Sequence, residues 1–200
     1  MNKPERIHTY LDVIADSARW DSFRPRKGDI VVATPPKCGT TWVQMMCALL
    51  VHQTAALPLP LTRLSRWLDR HTEPIEKVVA DFEAQPFRRI VKTHTPLDGL
   101  PYCEDATYVF CGRDPRDALL SMADHLANVS EASMIDARRR GNFPEDFKLP
   151  TDPNALFPMW LTVGQQPWMW DGFPAGSVDL PKDAEPLKDI TIKAGKPDGQ

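Results

Sequence analysis

Thr34-Pro-Pro-Lys-Cys-Gly-Thr-Thr-Trp42 is the stretch that decides the fold. It follows the apolar run Asp29-Ile-Val-Val-Ala33 and opens a second one, Trp42-Val-Gln-Met-Met-Cys-Ala-Leu-Leu-Val51. Strand, tight polar turn and helix in succession bring the free backbone N–H groups of a helix N-terminus to a point where they can hold an anion. The turn carries Lys37, Gly39, Thr40 and Thr41, with the lysine ahead of the glycine. A nucleoside-triphosphate loop has the order G-x-x-x-x-G-K-[ST], with the lysine behind the glycine. This turn is therefore suited to a phosphate-like group in a different layout.

Working outward, Asp29 to Thr34 is expected to be a buried strand and Thr40 to about Gln53 the helix after the turn. Arg89 to His94 and Ala106 to Gly112 are two further short apolar runs expected to form strands. Between them, Pro74 is expected in the first turn of a helix whose apolar face is Ile75, Val78, Val79 and Phe82. Asp114 can cap another helix with Pro115 at its first position. Leu119, Met122, Ala123 and Leu126 form its buried stripe, while Asp117, Ser121 and His125 lie four apart on a polar face. Ile7, Tyr10, Leu11, Ile14, Ala15 and Ala18 recur at helical spacing and predict an N-terminal helix. Leu57-Pro-Leu-Pro-Leu61 is expected to be a loop, because alternating prolines remove backbone donors.

Strands alternating with helices predict an α/β fold, a mostly parallel central sheet flanked by helices on both sides. In such sheets ligands bind beyond the carboxyl ends of the strands. From Gly141 onward Pro144, Pro150, Pro153 and Pro158 interrupt regular structure, and Phe157 to Trp170 is rich in aromatics. No aromatic follows Phe173, so residues 1–173 are expected to form one domain and 174–200 an exposed or disordered tail.

The 200 residues carry a net charge of −3. That balance argues against a large basic surface and a nucleic-acid partner, and Arg138-Arg-Arg140 is expected on a solvated helix face. Met1 is followed by no secretory h-region, and the apolar stretch from Val43 to Val51 is too short to span a membrane. The expected location is cytoplasmic, with no membrane partner and a small molecule as the partner. Cys38, Cys47, Cys103 and Cys111 have no metal-ligand spacing, and no metal is expected. Cys38, near a helix N-terminus and a lysine, is expected to have a lowered pKa and to be prone to oxidation.

Pro36-Lys-Cys-Gly-Thr-Thr-Trp42 resembles the 5′-phosphosulfate loop of the cytosolic-type sulfotransferases, which use 3′-phosphoadenosine 5′-phosphosulfate (PAPS). Ile90-Val-Lys-Thr-His-Thr-Pro-Leu97 is similar to the Lys-Thr-His strand of that family. Tyr108-Val-Phe-Cys-Gly-Arg-Asp-Pro-Arg-Asp-Ala-Leu-Leu-Ser121 is similar to its 3′-phosphate segment. The resemblance implies a three-layer P-loop-like fold and in-line sulfuryl transfer to a hydroxyl or amine of a small, aromatic acceptor. It implies donor binding by Lys37, Cys38, Gly39, Thr40, Thr41, Trp42, Arg113 and Ser121. His94 would be the general base, with Lys37 and Lys92 stabilising charge and Trp42 stacking on adenine. Trp67, Trp160, Trp168 and Trp170 could wall an acceptor pocket or simply pack.

Family members run longer and add further helices, a sheet strand and a late Arg-Lys-Gly segment. Only Lys193-Ala-Gly-Lys-Pro-Asp-Gly199 faintly echoes that segment, so the C-terminal part of the family fold is expected to be missing. An exposed sheet edge and an uncovered apolar face would follow. Two alternatives stay open: an inactive remnant that binds nucleotide or protein, and a magnesium-dependent P-loop kinase or NTPase, disfavoured by the lysine order. Oligomeric state and acceptor identity are not readable from the sequence.

Overall fold

A computed structural model describes residues 5–12, 14–140, 146, 148, 150 and 152–155. Three strands, β1 (Ile30–Ala33), β2 (Ile90–Thr93) and β3 (Thr107–Val109), form a parallel sheet in the order β2-β1-β3. Ile30 stands opposite Ile90 on one side and Thr107 on the other. All four β1 residues are buried, as a parallel strand covered on both faces requires.

Side-chain alternation divides the core in two. Val31, Ala33 and Val91 pack with Trp20, Phe23, Leu68, Val78, Phe82 and Leu100. Ile30, Val32 and Ile90 pack with Val43, Cys47, Ala48 and Leu64 on the opposite face. The helices α1 (Thr40–His52) and α2 (Leu61–Leu64) cover the second face, and α3 (Ile75–Glu83) covers the first. Deleting a fully buried ring such as Phe82 would cost about 3–5 kcal/mol.

Two helices follow β3. In α4 (Pro115–Ala127), Pro115 starts the first turn and the Asp114 side chain accepts from the Arg116 N–H, the expected cap. The helix α5 (Glu131–Arg140) carries the basic cluster, but Arg138 is 5% exposed and lies 3.7 Å from Glu131. The expectation of a solvated face therefore fails at Arg138, whose long apolar stem can be buried beside an acidic partner.

The N-terminal helix expected from Ile7 to Ala18 is also absent. Asp12 accepts the N–H groups of Ile14 and Ala15, Ser17 Oγ accepts that of Tyr10, and Ile7 and His8 donate to Asp98 O. These partners replace the helical bonds, and a short 3₁₀ turn forms only at Ser17–Ser22. Ile7 and Leu11, placed on the apolar stripe by spacing, are 69% and 58% exposed. Local side-chain bonds and tertiary contacts outweigh periodicity here.

At the N-terminal end of the strands, Arg89 grips Asp29 through two bonds of 2.9 and 2.6 Å, both side chains fully buried. Arg89 also bonds Glu83 and Arg24 O. This fixes the start of β1 and β2 and leaves their carboxyl ends for the site. The outer edge of β2 is covered by Arg66–Leu68: Lys92 N donates to Arg66 O and Leu68 N to Lys92 O. Among the described residues β3 pairs only with β1, and α1 exposes Trp42 (78%) and Leu50 (71%). The aromatic-rich stretch 157–170, the echo at 193–199, the boundary at 173 and the 174–200 tail lie outside the described residues.

Candidate active site

The chain leaves β1 at Ala33 and turns through Thr34 to Gly39 before α1 begins. Gly39 is the residue preceding α1, with φ +83° and ψ 19° and no side-chain cap. A Cβ built there meets nothing within 4 Å. The space beside Gly39 is therefore open at the start of α1, where the first helical N–H groups have no intrahelical partner. Lys37 is also left-handed, at φ 65°, a conformation that costs a non-glycine residue about 1–2 kcal/mol. Arg113 Nη1 donates to Lys37 O at 3.3 Å, tying this turn to the loop after β3. Thr34 and Thr40 bond through their hydroxyls and close the base of the loop.

Cys38 does not point toward the anion position. It is buried with Ala118, Leu119 and Ala123 of α4. Burial pushes its thiol pKa up, an effect only partly offset by the Arg113 N–H. The expected lowered pKa is thus corrected, because the side chain faces an apolar contact rather than the helix N-terminus. Its structural effect is to seat the loop on α4, the helix that bears Ser121.

His94 follows β2 and lies at the same end of the sheet. It is buried, and its Nδ1 bonds Thr34 O at 2.7 Å. A carbonyl can only accept, so Nδ1 carries the proton and the basic lone pair lies on Nε2. Burial, then the nearby Lys92 charge, lowers the His94 pKa to about 3. The imidazole is neutral at physiological pH.

Lys92 is pushed down to about 8, first by burial and then by Arg70, with Lys37 adding to the effect and Asp69 opposing it. Its Nζ lies 4.3 Å from the Trp67 ring centre, and the His94 ring meets the same tryptophan edge-on at 4.6 Å. Trp67 thus separates neither group from the other and forms a wall common to both. A cavity of about 320 Å³ runs from Thr41 past Trp67 to Arg70 and Lys92. A second hollow of about 370 Å³ lies at the far end of the sheet, beside the Arg89–Glu83 pair and away from this cluster.

The structure brings together Lys37, Gly39, Thr40, Thr41, Lys92, His94 and Arg113. Trp42 stands on the outer face of α1, and Ser121 is half-buried on α4. Trp67, Asp69 and Arg70 join the cluster without having been assigned a role from sequence. They do so because Arg66–Leu68 runs beside β2, a pairing that residue spacing does not reveal. His125 also belongs near it: burial lowers its pKa, with smaller effects from Lys37 and Lys92. Among the described residues no group of potential ligands could hold a metal ion, and no helix is long and apolar enough to cross a membrane.

Comparison with known proteins shows the family. A glycolipid sulfotransferase of Mycobacterium tuberculosis is 48% identical over 125 residues, covering 62% of this chain and 38% of the relative. Cytosolic sulfotransferase 13 of Arabidopsis thaliana is 30% identical over 125 residues, covering 56% of this chain and 36% of the relative. The chain thus spans less than half the length of these relatives. A crystal structure of a mouse sulfotransferase complexed with PAP matches with a TM-score of 0.43 and 22% identity, covering 72% of this chain and 44% of that one. Residues 27–168 match the sulfotransferase domain, and the chain belongs to the sulfotransferase family.

Proposed function

We propose that this chain transfers a sulfuryl group from PAPS to a hydroxyl of a small acceptor. The observation that carries this reading is the junction of the anion loop with the reacting strand: His94 Nδ1 on Thr34 O, beside an open Gly39. The missing Cβ at Gly39 leaves the close approach that a phosphosulfate group needs. When bound, the donor supplies a sulfuryl group carried on a phosphate leaving group. The chain's own part is to bind, orient and move one proton.

The backbone N–H groups at Gly39, Thr40 and Thr41, with the two hydroxyls, hold the 5′-phosphate and sulfate oxygens in this proposal. Lys37 and Lys92 offset charge as it develops on the bridging and transferring oxygens. Lys92 stays largely protonated at pH 7, below its value of about 8. His94 Nε2 takes the proton of the acceptor hydroxyl. Arg113 and Ser121 take the 3′-phosphate, for which the guanidinium fork is suited, and exposed Trp42 takes the adenine. Acceptors enter through the cavity along Trp67. An aromatic ring or a sugar hydroxyl fits that chemistry, the second suggested by the mycobacterial relative's glycolipid.

The test is transfer of labelled sulfate from PAPS to phenolic and glycolipid acceptors, by wild type and His94→Ala. Turnover in wild type, lost in His94→Ala with product-nucleotide binding intact, supports the reading. A chain that binds the nucleotide but transfers to no acceptor fits the alternative of a nucleotide-binding module and contradicts an enzyme.

A further inference from the structure

We propose that Asp69 is a positioning residue for the reacting strand end, holding the hydroxyls on both sides of His94 and setting a negative charge against Lys92. The proposal rests on the sulfotransferase reading for its functional meaning, but its geometry stands apart from it. Asp69 is fully buried at the end of the segment that runs beside β2. Its Oδ2 accepts from Trp20 Nε1 at 3.2 Å, from Thr95 Oγ1 at 2.6 Å and from Thr93 Oγ1. Thr93 Oγ1 in turn accepts from the Thr95 N–H at 2.8 Å, so its own proton is committed to Asp69.

Alternate residues of an extended chain point to opposite sides. Asp69 holds Thr93 and Thr95, and Lys92 and His94, on the other side of that strand end, meet Trp67. Thr34 N donates to Thr93 O, and His94 Nδ1 to Thr34 O. A shift at Thr93 would thus move the imidazole and the base of the anion loop together. Burial is the largest effect on Asp69 and raises its pKa, while the hydrogen bonds from Thr93, Thr95, Trp20 and Trp67 act in the opposite direction and favour the carboxylate.

The charge has a second use. Lys92 faces the cations Arg70 and Lys37, with Asp69 as the opposing charge. Arg66 and Glu73 also line the cavity but are paired with each other at 2.8 Å, and His94 is neutral. Without the Asp69 charge, two cations and burial act on Lys92 with little to oppose them, and its ammonium loses its proton at lower pH.

The test uses the full chain and Asp69→Asn. This variant removes the charge and retains an oxygen for the donors now on Oδ2, with its amide nitrogen at the Oδ1 position beside Trp67. Competitive acylation of Lys92 across pH, read by mass spectrometry, should give a midpoint near 8 in wild type and a lower one in Asp69→Asn. If the chain turns over, kcat should fall in the variant with donor KM little changed, and its high-pH limb should move down. Labelling needs no turnover, so an inactive chain would count against the sulfotransferase reading alone. An unchanged Lys92 midpoint in folded Asp69→Asn overturns the proposal. Should that variant not fold, Thr95→Val removes one arm and keeps the charge. Faster hydrogen exchange at Thr34 is then expected with the Lys92 midpoint unmoved, and unaltered exchange overturns the proposal.

Discussion

Gly39→Ala separates what the anion loop does for the fold from what it does for a ligand. Gly39 lies at φ +83°, where a side chain costs about 1–2 kcal/mol through the backbone alone. No neighbour lies within 4 Å of the added methyl, so steric overlap inside the protein adds nothing. A chain of this size loses about 2–4 °C of Tm per kcal/mol, which puts the expected drop at about 2–8 °C. The proposed ligand should lose more, because the methyl would stand where a bound anion approaches the α1 N–H groups. Losing one charge-assisted bond at about 1.5–3 kcal/mol weakens product-nucleotide binding by about 10- to 150-fold. Thermal unfolding and calorimetry on the same preparation read the two effects. Unchanged affinity in a variant whose Tm has fallen would refute the assignment of this loop to an anion.

Three further outcomes follow from the geometry. Arg89→Met leaves the buried Asp29 with only its Arg26 contacts, so unfolding in urea should show a loss of up to about 3–5 kcal/mol; replacing both residues with apolar ones should recover much of it. For His94, the folded pKa is about 3 against 6.5 unfolded. The unfolded chain therefore binds a proton that the folded one refuses as pH falls through that window, and stability drops with it. His94→Gln should lack this component, worth up to about 4–5 kcal/mol, in urea titrations from neutral to acid pH. Cys38, buried and with a raised thiol pKa, should react with a thiol reagent more slowly than the half-buried Cys103 and Cys111, as peptide mapping would show.

The parts of the fold legible in the sequence are those where local chemistry and global packing agree. Ile30–Ala33 is apolar throughout because both faces are covered, and Asp114-Pro115 is a cap and first turn in any context. Thr34–Trp42 was legible as the link between a strand and a helix for a related reason: an apolar run, a tight turn with a glycine and a second apolar run follow one another directly. Residues 7–18 misled because their apolar spacing is helical, while their N–H groups are taken by Asp12, Ser17 and Asp98. Asp98 is far away in sequence. Cys38 was placed in the loop correctly but faced the wrong way, since its contact with α4 depends on how two distant elements dock. Trp67 and Asp69 stayed without a role because their importance comes from lying beside Lys92 and His94. A short aromatic-acidic run after a proline-rich loop gives no local sign of that edge pairing.

In the proposed function this loop and its neighbours bind a phosphosulfate nucleotide without a metal. The most direct measurement is calorimetry of 3′-phosphoadenosine 5′-phosphate with the purified chain, with and without magnesium, beside Arg113→Ala. Binding should be indifferent to magnesium and weaker in Arg113→Ala. A folded chain that binds no such nucleotide, or that binds ATP only with magnesium, would contradict that function.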